Sequence, residues 1–366
     1  EAQFKWSTAD AADGSARSRF PGVLDLQGSL SRADGARAHR YLPLIIGPEV
    51  RNYVRDAVSA GQASSVRFRL RGDLKNMPFD DPQKGEFRIA AAVKNADFAY
   101  VPRSLQAQDD LPWPALTQLS GNLVFERSSM QLQGVSARLA ATPAVAISQG
   151  EARIADMRNS SSVQVGLELR GPLDDILKTV LNGSPLSAMT GQALAQAGAS
   201  GYAQGQISLQ LPLKALEKST VQGQLRLFGN EFQLMPELPR LTSLRGVLHF
   251  NERGFAISGA QARALGGDVS AEGGMIAVPG TTSRQEPVLK IQGSMSAEGL
   301  RQATYLGAIA SIGQKASGKT NYSGTINWNR GATEMRFASN LQGLALNLPR
   351  PFAKPAQSSL PLTPAT

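Results

Sequence analysis

The sequence contains no cysteine and only two histidines, His39 and His249. Without cysteine there can be no disulfide, no Cys-ligated zinc, no iron–sulfur cluster and no thiol nucleophile. Two histidines leave almost nothing for a histidine-rich metal site or for a histidine general base. The sequence therefore predicts no metal, no cofactor and no enzymatic activity.

Long apolar runs and dense charge are also missing. No run of about 18 consecutive apolar residues occurs, so we expect no bilayer-spanning segment. Charged residues make up 18% and aromatic residues 6% of the chain. The net charge is +9, but basic residues are dispersed singly along apolar strands, as between Val66 and Arg71, rather than clustered beside stacking aromatics. We therefore expect no nucleic-acid partner.

The sequence does contain an internal repeat. A Leu-x-Leu-x-Gly element occurs at Leu24–Gly28 and Leu167–Gly171, and in a similar form at Leu289–Gly293. A longer element, Leu116–Arg138, recurs 125 residues later as Leu241–Arg263. Such order predicts repeated structural units. The predicted units are residues 1–165, residues 166–287, and a truncated third unit, residues 288–366, that ends in a Pro-rich coil.

Within each unit, apolar and polar residues alternate. Val66, Phe68 and Leu70, for example, are separated by arginines. This alternation is typical of half-buried strands, and turns such as Gly72-Asp73 predict hairpins. We expect roughly 18 strands, and sheets of more than about ten strands curl, split or close. The predicted fold is mainly β: a long, curved antiparallel sheet that forms a repeating open groove, with a few short helices.

Helices are predicted after each Leu-x-Leu-x-Gly element. In the first unit, Pro48 suits a helix N-terminus, and an apolar stripe continues to Gly61. In the second unit the segments are Leu173–Leu181 and Pro185–Ala199, and in the third Leu300–Ile312.

The apolar side of such a sheet must be covered. Either the sheet forms a sandwich with a dry interior, or it is a trough whose lining faces a ligand, since soluble proteins rarely expose larger apolar patches. The lining is mostly Leu, Val and Ile, which favours a trough. Because each buried CH₂ contributes about 0.8 kcal/mol, an acyl chain is a suitable occupant. The predicted lining is Val66, Phe68, Leu70, Leu123, Phe125, Leu132, Leu167, Leu169, Ile207, Leu209, Leu225, Leu227, Leu248, Phe250, Ile257, Leu289 and Ile291.

Three features together resemble the AsmA-like, YhdP-type family of Gram-negative envelope proteins. They are Arg40-Tyr41-Leu42-Pro43 with the helix after it, the repeated Leu-Thr-x-Leu-x-Gly-x-Leu-x-Phe element, and the segment Asn340–Lys354. The resemblance covers about Leu24 to Lys354. It implies a periplasmic β-groove, anchored in the inner membrane, that moves phospholipid to the outer membrane and maintains that membrane's barrier.

The resemblance implies no catalytic residues. It leads us to expect an interior fragment of such a protein, with phospholipid as the ligand. The inner and outer membranes would be contacted through parts of the chain outside this sequence, and other envelope proteins are candidate partners. A ligand-free structural scaffold of the envelope stays open as the alternative. An enzyme acting on envelope lipid or polysaccharide would need convergent acids, and the sequence suggests none.

Two motifs could indicate a different function, a nucleotide site or an acid–base catalytic site. Gly313–Thr320 fits the phosphate-loop pattern, but a helix-like segment precedes it and a strand-like one follows, the reverse of a phosphate loop. We therefore expect no nucleotide. The acid pairs Asp80-Asp81, Asp109-Asp110 and Asp174-Asp175 are adjacent in sequence and point apart, unlike the two carboxylates of an acid–base site. Asp174-Asp175 is expected at the start of a helix, where acids stabilise the dipole.

Overall fold

The structure is a computed structural model. It describes residues 1–8, 21–42, 47–158, 160–184, 196–212, 215, 218–236, 238–278, 287–329, 332–349 and 351–362. In this part of the chain, 18 strands form one open antiparallel sheet, and the helices are few and short. The predicted mainly β, open antiparallel architecture is confirmed.

The strands are β1 (Ala2–Ser7), β2 (Val23–Asp34), β3 (Val58–Asp73), β4 (Gly85–Phe98), β5 (Leu116–Glu126), β6 (Ser129–Leu139), β7 (Ala146–Asp156), β8 (Ser160–Pro172), β9 (Gly198–Ser200), β10 (Tyr202–Pro212), β11 (Thr220–Gln233), β12 (Leu241–Asn251), β13 (Gly254–Ala264), β14 (Gly267–Gly274), β15 (Val288–Ser296), β16 (Ala316–Asn329), β17 (Ala332–Ala338) and β18 (Leu344–Leu346). The helices are α1 (Pro48–Ala57), α2 (Leu173–Ile176), α3 (Ala297–Gln302) and α4 (Ala308–Gln314).

The chain divides into two compact units. Unit 1 comprises Glu1–Leu169 with Ile207–Thr220, and unit 2 comprises Arg170–Gln206 with Val221–Thr366. In unit 1, each strand from β1 to β7 pairs antiparallel with the next. In unit 2 the same holds from β11 to β17. The three repeat boundaries drawn from the sequence stay predictions.

The sequence repeat is also a repeat of backbone conformation. In the β5–β6 hairpin Leu123 pairs with Leu132, and in the β12–β13 hairpin Leu248 pairs with Ile257, each 125 residues later. Both hairpins are interrupted by bulges at equivalent places. Gly134 and Gly259, for instance, have φ of 61° and 59°. The two copies therefore share register and bulges as well as residue pattern.

Aromatic rings lie over glycines of the neighbouring strand. A Cβ atom placed on Gly28 would lie 2.5 Å from the Cζ atom of Phe68, its cross-strand partner. The same arrangement joins Gly223 to Phe250. A glycine leaves a gap in the side-chain layer, and a cross-strand aromatic ring fills that gap and fixes the register.

We expect Gly28→Ala to destabilise the protein by about 1–3 kcal/mol, because the added methyl group collides with Phe68 and with the Glu1 carbonyl oxygen, 2.7 Å away. Gly166→Ala is the matched control, since its nearest neighbour would be Glu151 Oε1 at 3.5 Å. The control should change stability by less than about 1 kcal/mol. Denaturant unfolding measures both, and equal midpoints would contradict the collision.

The helices are shorter than the sequence suggested. α1 begins at Pro48 as expected but ends at Ala57, because Val58 already pairs with Phe98 as the first residue of β3. The expectation that the helix continues to Gly61 is therefore wrong. The segment predicted after Leu173 forms α2 followed by one π-helical stretch, Leu177–Asn182.

Two further helical predictions have different outcomes. Of Pro185–Ala199, residues 185–195 lie outside the described residues, and Gly198 begins strand β9. The segment predicted as Leu300–Ile312 is divided between α3, a short 3₁₀ turn at Thr304–Leu306, and α4.

The C-terminal tail is irregular but attached. Leu346 forms a β-bridge with Lys354, and Ser339 forms one with Leu362. Nearby, Leu300, Leu341 and Leu344 belong to one buried apolar cluster. The predicted coil is therefore docked against the end of unit 2.

Candidate functional site

One side of the unit 1 sheet carries a continuous row of apolar residues. Directly paired residues of antiparallel strands lie on the same face. The row runs through Ala2, Gly28, Phe68, Ile89, Phe125, Met130 and Ile154, one residue from each strand from β1 to β7. A second row on this face joins Leu26, Leu70 and Phe87. We call this side the apolar face of unit 1.

The opposite side of the same strands is polar. Arg69 pairs with Gln27 and Arg88, and Arg71 pairs with Asp25 and Glu86. Arg69 Nη1 lies 2.5 Å from Asp25 Oδ1. These ion pairs are partly solvated and contribute little to stability. Because these charged side chains are partly solvated, this side of the sheet faces water.

Unit 2 repeats the arrangement. Its apolar row runs through Leu225, Leu248, Ile257, Gly273, Leu289, Ile326 and Met335, one residue from each strand from β11 to β17. We call the side that carries this row the apolar face of unit 2. Each unit thus has its own apolar face seven strands wide.

The burial of the apolar face changes along each strand. On β6 of unit 1, Met130 and Leu132 are half-buried, whereas Val135 and Leu139 are buried beyond the bulge at Gly134. Side chains in interior strands have neighbours on both sides, so their remaining exposure is through the open face. Among the described residues, no second protein layer therefore covers Met130 and Leu132 at the hairpin end of the face.

Unit 2 shows the same division. On β13, Phe255 and Ile257 are half-buried, while Ala260 and Ala262 are buried beyond the bulge at Gly259. In both units the bulge separates a partly exposed apolar region from a dry core, although Ile154 of unit 1 and Leu225 of unit 2 are buried within that region. We call the two open regions the open segments.

The predicted lining residues all lie on described strands. Five are buried: Val66, Leu169, Ile207, Leu225 and Leu227. Twelve are half-buried: Phe68, Leu70, Leu123, Phe125, Leu132, Leu167, Leu209, Leu248, Phe250, Ile257, Leu289 and Ile291. The alternation in the sequence therefore predicted side chains that are buried or half-buried in the structure.

Pairing brings most of these residues together within their units. Leu123 lies opposite Leu132, and Phe68 is joined to Phe125 through Ile89. Leu167 and Leu169 lie on β8, and Ile207 and Leu209 lie on β10. These two strands pair with each other. Whether any of these residues binds lipid stays a prediction.

Several residues of the face were missed by sequence reasoning. Phe87 and Ile89 of β4 lie in its centre, but the run Ala90-Ala91-Ala92-Val93 obscures the alternation of that strand. Phe4 and Trp6 of β1 pair with Leu26 and Leu24 and are 75% and 46% exposed. An alternating pattern in a strand of only six residues was too short to stand out.

The polar motifs have structural partners. Nε2 of His249 lies 3.1 Å from Ser258 Oγ, and burial lowers the His249 pKa. Asp80 forms an ion pair with Arg158, and Asp174 at the start of α2 forms one with Lys178 at 2.6 Å. In the part of the chain that the structure describes, no group of three or more acids and histidines could hold a metal ion.

The phosphate-loop pattern spans a helix end and a strand start. Gly313 and Gln314 end α4, and Ala316 begins β16, where Ala316–Gly318 pair with β18. Thr320, the hydroxyl position of the motif, is buried. The order of elements is thus the reverse of a phosphate loop.

Comparison with protein families matches residues 2–365 to the family described as YhdP protein. No curated protein and no solved structure matches the chain. In the described residues no helix has the length and apolar character needed to cross a membrane.

Proposed function

The chain belongs to the YhdP family, an envelope lipid-transport family of Gram-negative bacteria, and from this premise we propose that it carries phospholipid acyl chains along its apolar faces. The transfer would take place in the periplasm, between the inner and outer membranes, as part of a protein anchored in the inner membrane. The observation that supports the proposal is the pair of open segments, in which apolar side chains continuous across neighbouring strands stay half-exposed in the part of the chain that the structure describes.

The width of each apolar face supports this ligand. Seven strands at about 4.8 Å spacing give a row about 29 Å long. The hydrocarbon core of a bilayer is about 30 Å thick, so one acyl chain extends about 15 Å. A single row is therefore longer than the chain that would lie on it, and a lipid could shift along it without losing apolar contact.

The energetics favour binding without fixing a position. Each methylene group removed from water contributes about 0.8 kcal/mol, and this contribution has no directional requirement. Neighbouring positions on the row therefore have similar free energies. The polar headgroup would stay in water, and the direction of transfer would come from partners or from gradients between the membranes.

The proposal is tested by extracting the purified chain with organic solvent and identifying lipids by mass spectrometry. We expect phospholipid in the extract, and we expect the delipidated chain to take up labelled phosphatidylethanolamine from vesicles. A folded chain that neither contains nor takes up lipid would contradict the proposal and favour the ligand-free scaffold.

A further inference from the structure

A tyrosine lies on the apolar face of unit 2. Tyr322 of β16 pairs with Gly293 of β15, and the register of these two strands is continuous from Val288 to Ser296. Tyr322 therefore lies on the same side as Ile326, which belongs to the apolar row. Tyr322 is half-buried. Since β16 has β15 on one side and β17 on the other, the exposed part of this side chain is reached from the open side of the face.

The Tyr322 ring corresponds to an aromatic ring of unit 1. A Cβ atom on Gly293 would lie 2.8 Å from both the Cζ atom and the hydroxyl oxygen of Tyr322. Gly293 ends the third copy of the Leu-x-Leu-x-Gly element, and Gly28, which ends the first copy, is covered in the same way by Phe68. The two rings thus occupy equivalent places in the repeat. Tyr322 adds one hydroxyl group to that place.

The Tyr322 hydroxyl is a polar group among apolar residues. On the side of the open segment, the next residue of β15 on this face is Ile291, which is half-buried. On the other side it is Met295, which packs against the buried apolar cluster that contains Leu341. Burial raises the Tyr322 pKa, and in the part of the chain that the structure describes its hydroxyl has no hydrogen-bond partner. An unused donor therefore lies between a half-exposed region and a dry one.

The ligand group that fits this position is a hydrogen-bond acceptor joined to an acyl chain. A buried tyrosine hydroxyl normally has a hydrogen-bond partner. In a phospholipid, the ester carbonyl oxygen is the acceptor next to the first methylene groups of the acyl chain. With the ester at Tyr322, these methylene groups lie over Ile291, which is two residues, or about 7 Å, along the strand from Gly293.

We propose that the Tyr322 hydroxyl donates a hydrogen bond to an ester carbonyl oxygen of the phospholipid on unit 2. The inference rests on the proposed lipid-binding function and deepens it, because it assigns a specificity-determining residue to that site. Unit 2 thereby favours ester-linked lipids and holds them at one position. Phe68, at the equivalent place in unit 1, has no donor, so a lipid there is free to shift along the row.

The test measures binding to unit 2 through Trp328. This residue lies on the same face of β16, six residues from Tyr322, and its ring packs edge to face on Phe255 with 5.7 Å between the ring centroids. The chain has three tryptophans, so Trp6→Phe combined with Trp113→Phe leaves Trp328 as the only one. Quenching of its fluorescence by lipids with brominated acyl chains then gives the affinity. The two probes are phosphatidylcholines with identical chains, one ester-linked and one ether-linked, since the ether lacks the carbonyl oxygen.

On this background, the ester lipid should bind about fivefold more tightly than the ether lipid, which is the contribution of one neutral hydrogen bond. Tyr322→Phe should bind both lipids equally, because it removes the hydroxyl but keeps the ring over Gly293. Tyr305→Phe is the matched control. Tyr305 lies in the 3₁₀ turn after α3 and not on a strand of the sheet, so this variant should keep the fivefold preference.

The outcomes separate the hydrogen bond from lipid binding itself. If the background protein binds both lipids equally, or if Tyr322→Phe keeps the preference for the ester, the hydrogen bond is wrong while the lipid-binding function stands. If neither lipid quenches Trp328, the proposed function fails for unit 2, and the hydrogen bond fails with it.

Discussion

Leu123→Asp should weaken the binding of phospholipid to unit 1 by about 100-fold. Leu123 pairs with Leu132 and Ala91 in the open segment of the apolar face. A carboxylate placed against hydrocarbon costs about 2.5–3.5 kcal/mol, and about 1.4 kcal/mol corresponds to tenfold in affinity. The measurement is the equilibrium affinity of the delipidated chain for a fluorescent phospholipid.

Val124→Asp is the matched control for this prediction. Val124 follows Leu123 directly, is also half-buried, and pairs with Ala90 and Gln131 on the polar side. The same charge is thus introduced one residue away and on the opposite face of the sheet, and lipid affinity should stay near wild type. If the two variants lose affinity equally, the face assignment is wrong. If only Val124→Asp loses affinity, the lipid lies on the other face.

The alternating pattern predicted the apolar face because its cause is local. Side chains of a strand point alternately to the two faces, so Val66, Phe68 and Leu70 had to share a side once the segment was a strand. The register between strands is not local, and a shift of one residue would have exchanged the faces. The repeat made the register partly predictable, since Leu123 with Leu132 and Leu248 with Ile257 keep the same spacing.

Other features could not be predicted because they depend on contacts between distant segments. The position of Phe79 and Asp80, in the loop between β3 and β4, is set by Arg127, 48 positions from Phe79, and by Arg158, 78 positions from Asp80. No periodicity marks such a loop residue as part of a sheet face. The end of α1 is similar: Val58 fits the apolar stripe of the helix, but its pairing with Phe98 places it in β3, and tertiary pairing overrides helical periodicity.

The sequence was compatible with two arrangements of the sheet, a filled sandwich and an open trough. Each unit combines features of both. Beyond the bulges at Gly134 and Gly259 the face is buried, which gives the sheet a dry core. On the hairpin side of the bulges most of the same face stays half-exposed, while Ile154 and Leu225 are buried. The dry part supplies stability without ligand, so under the proposed function the open segments would exchange lipid without unfolding the strands that carry them.

A buried lysine lies beside the apolar cluster at the C-terminal end of unit 2, and we expect its substitution to destabilise the attachment of the tail. Lys354 is 6% exposed, and its Nζ donates to the carbonyl oxygens of Leu341 at 2.7 Å, Leu344 at 2.8 Å and Pro355 at 3.1 Å. Lys354→Met keeps the apolar stem but removes all three donated hydrogen bonds. The Leu341 oxygen still accepts from Leu344 N–H, and the Pro355 oxygen still accepts from Ser358. A buried acceptor that loses its donor costs about 1 kcal/mol or more.

We therefore expect Lys354→Met to destabilise unit 2 by about 2 kcal/mol, since the Leu344 carbonyl oxygen loses the hydrogen bond from Lys354, while the other two oxygens keep a second donor. Lys319→Met is the control, because Lys319 is an exposed residue of β16 and its substitution should change stability by less than about 0.5 kcal/mol. Denaturant unfolding followed by hydrogen exchange should show loss of protection in residues 351–362 first. Unchanged protection there would mean that the tail is held by its β-bridges alone. The lysine would then have no structural role in attaching the tail to the open sheet.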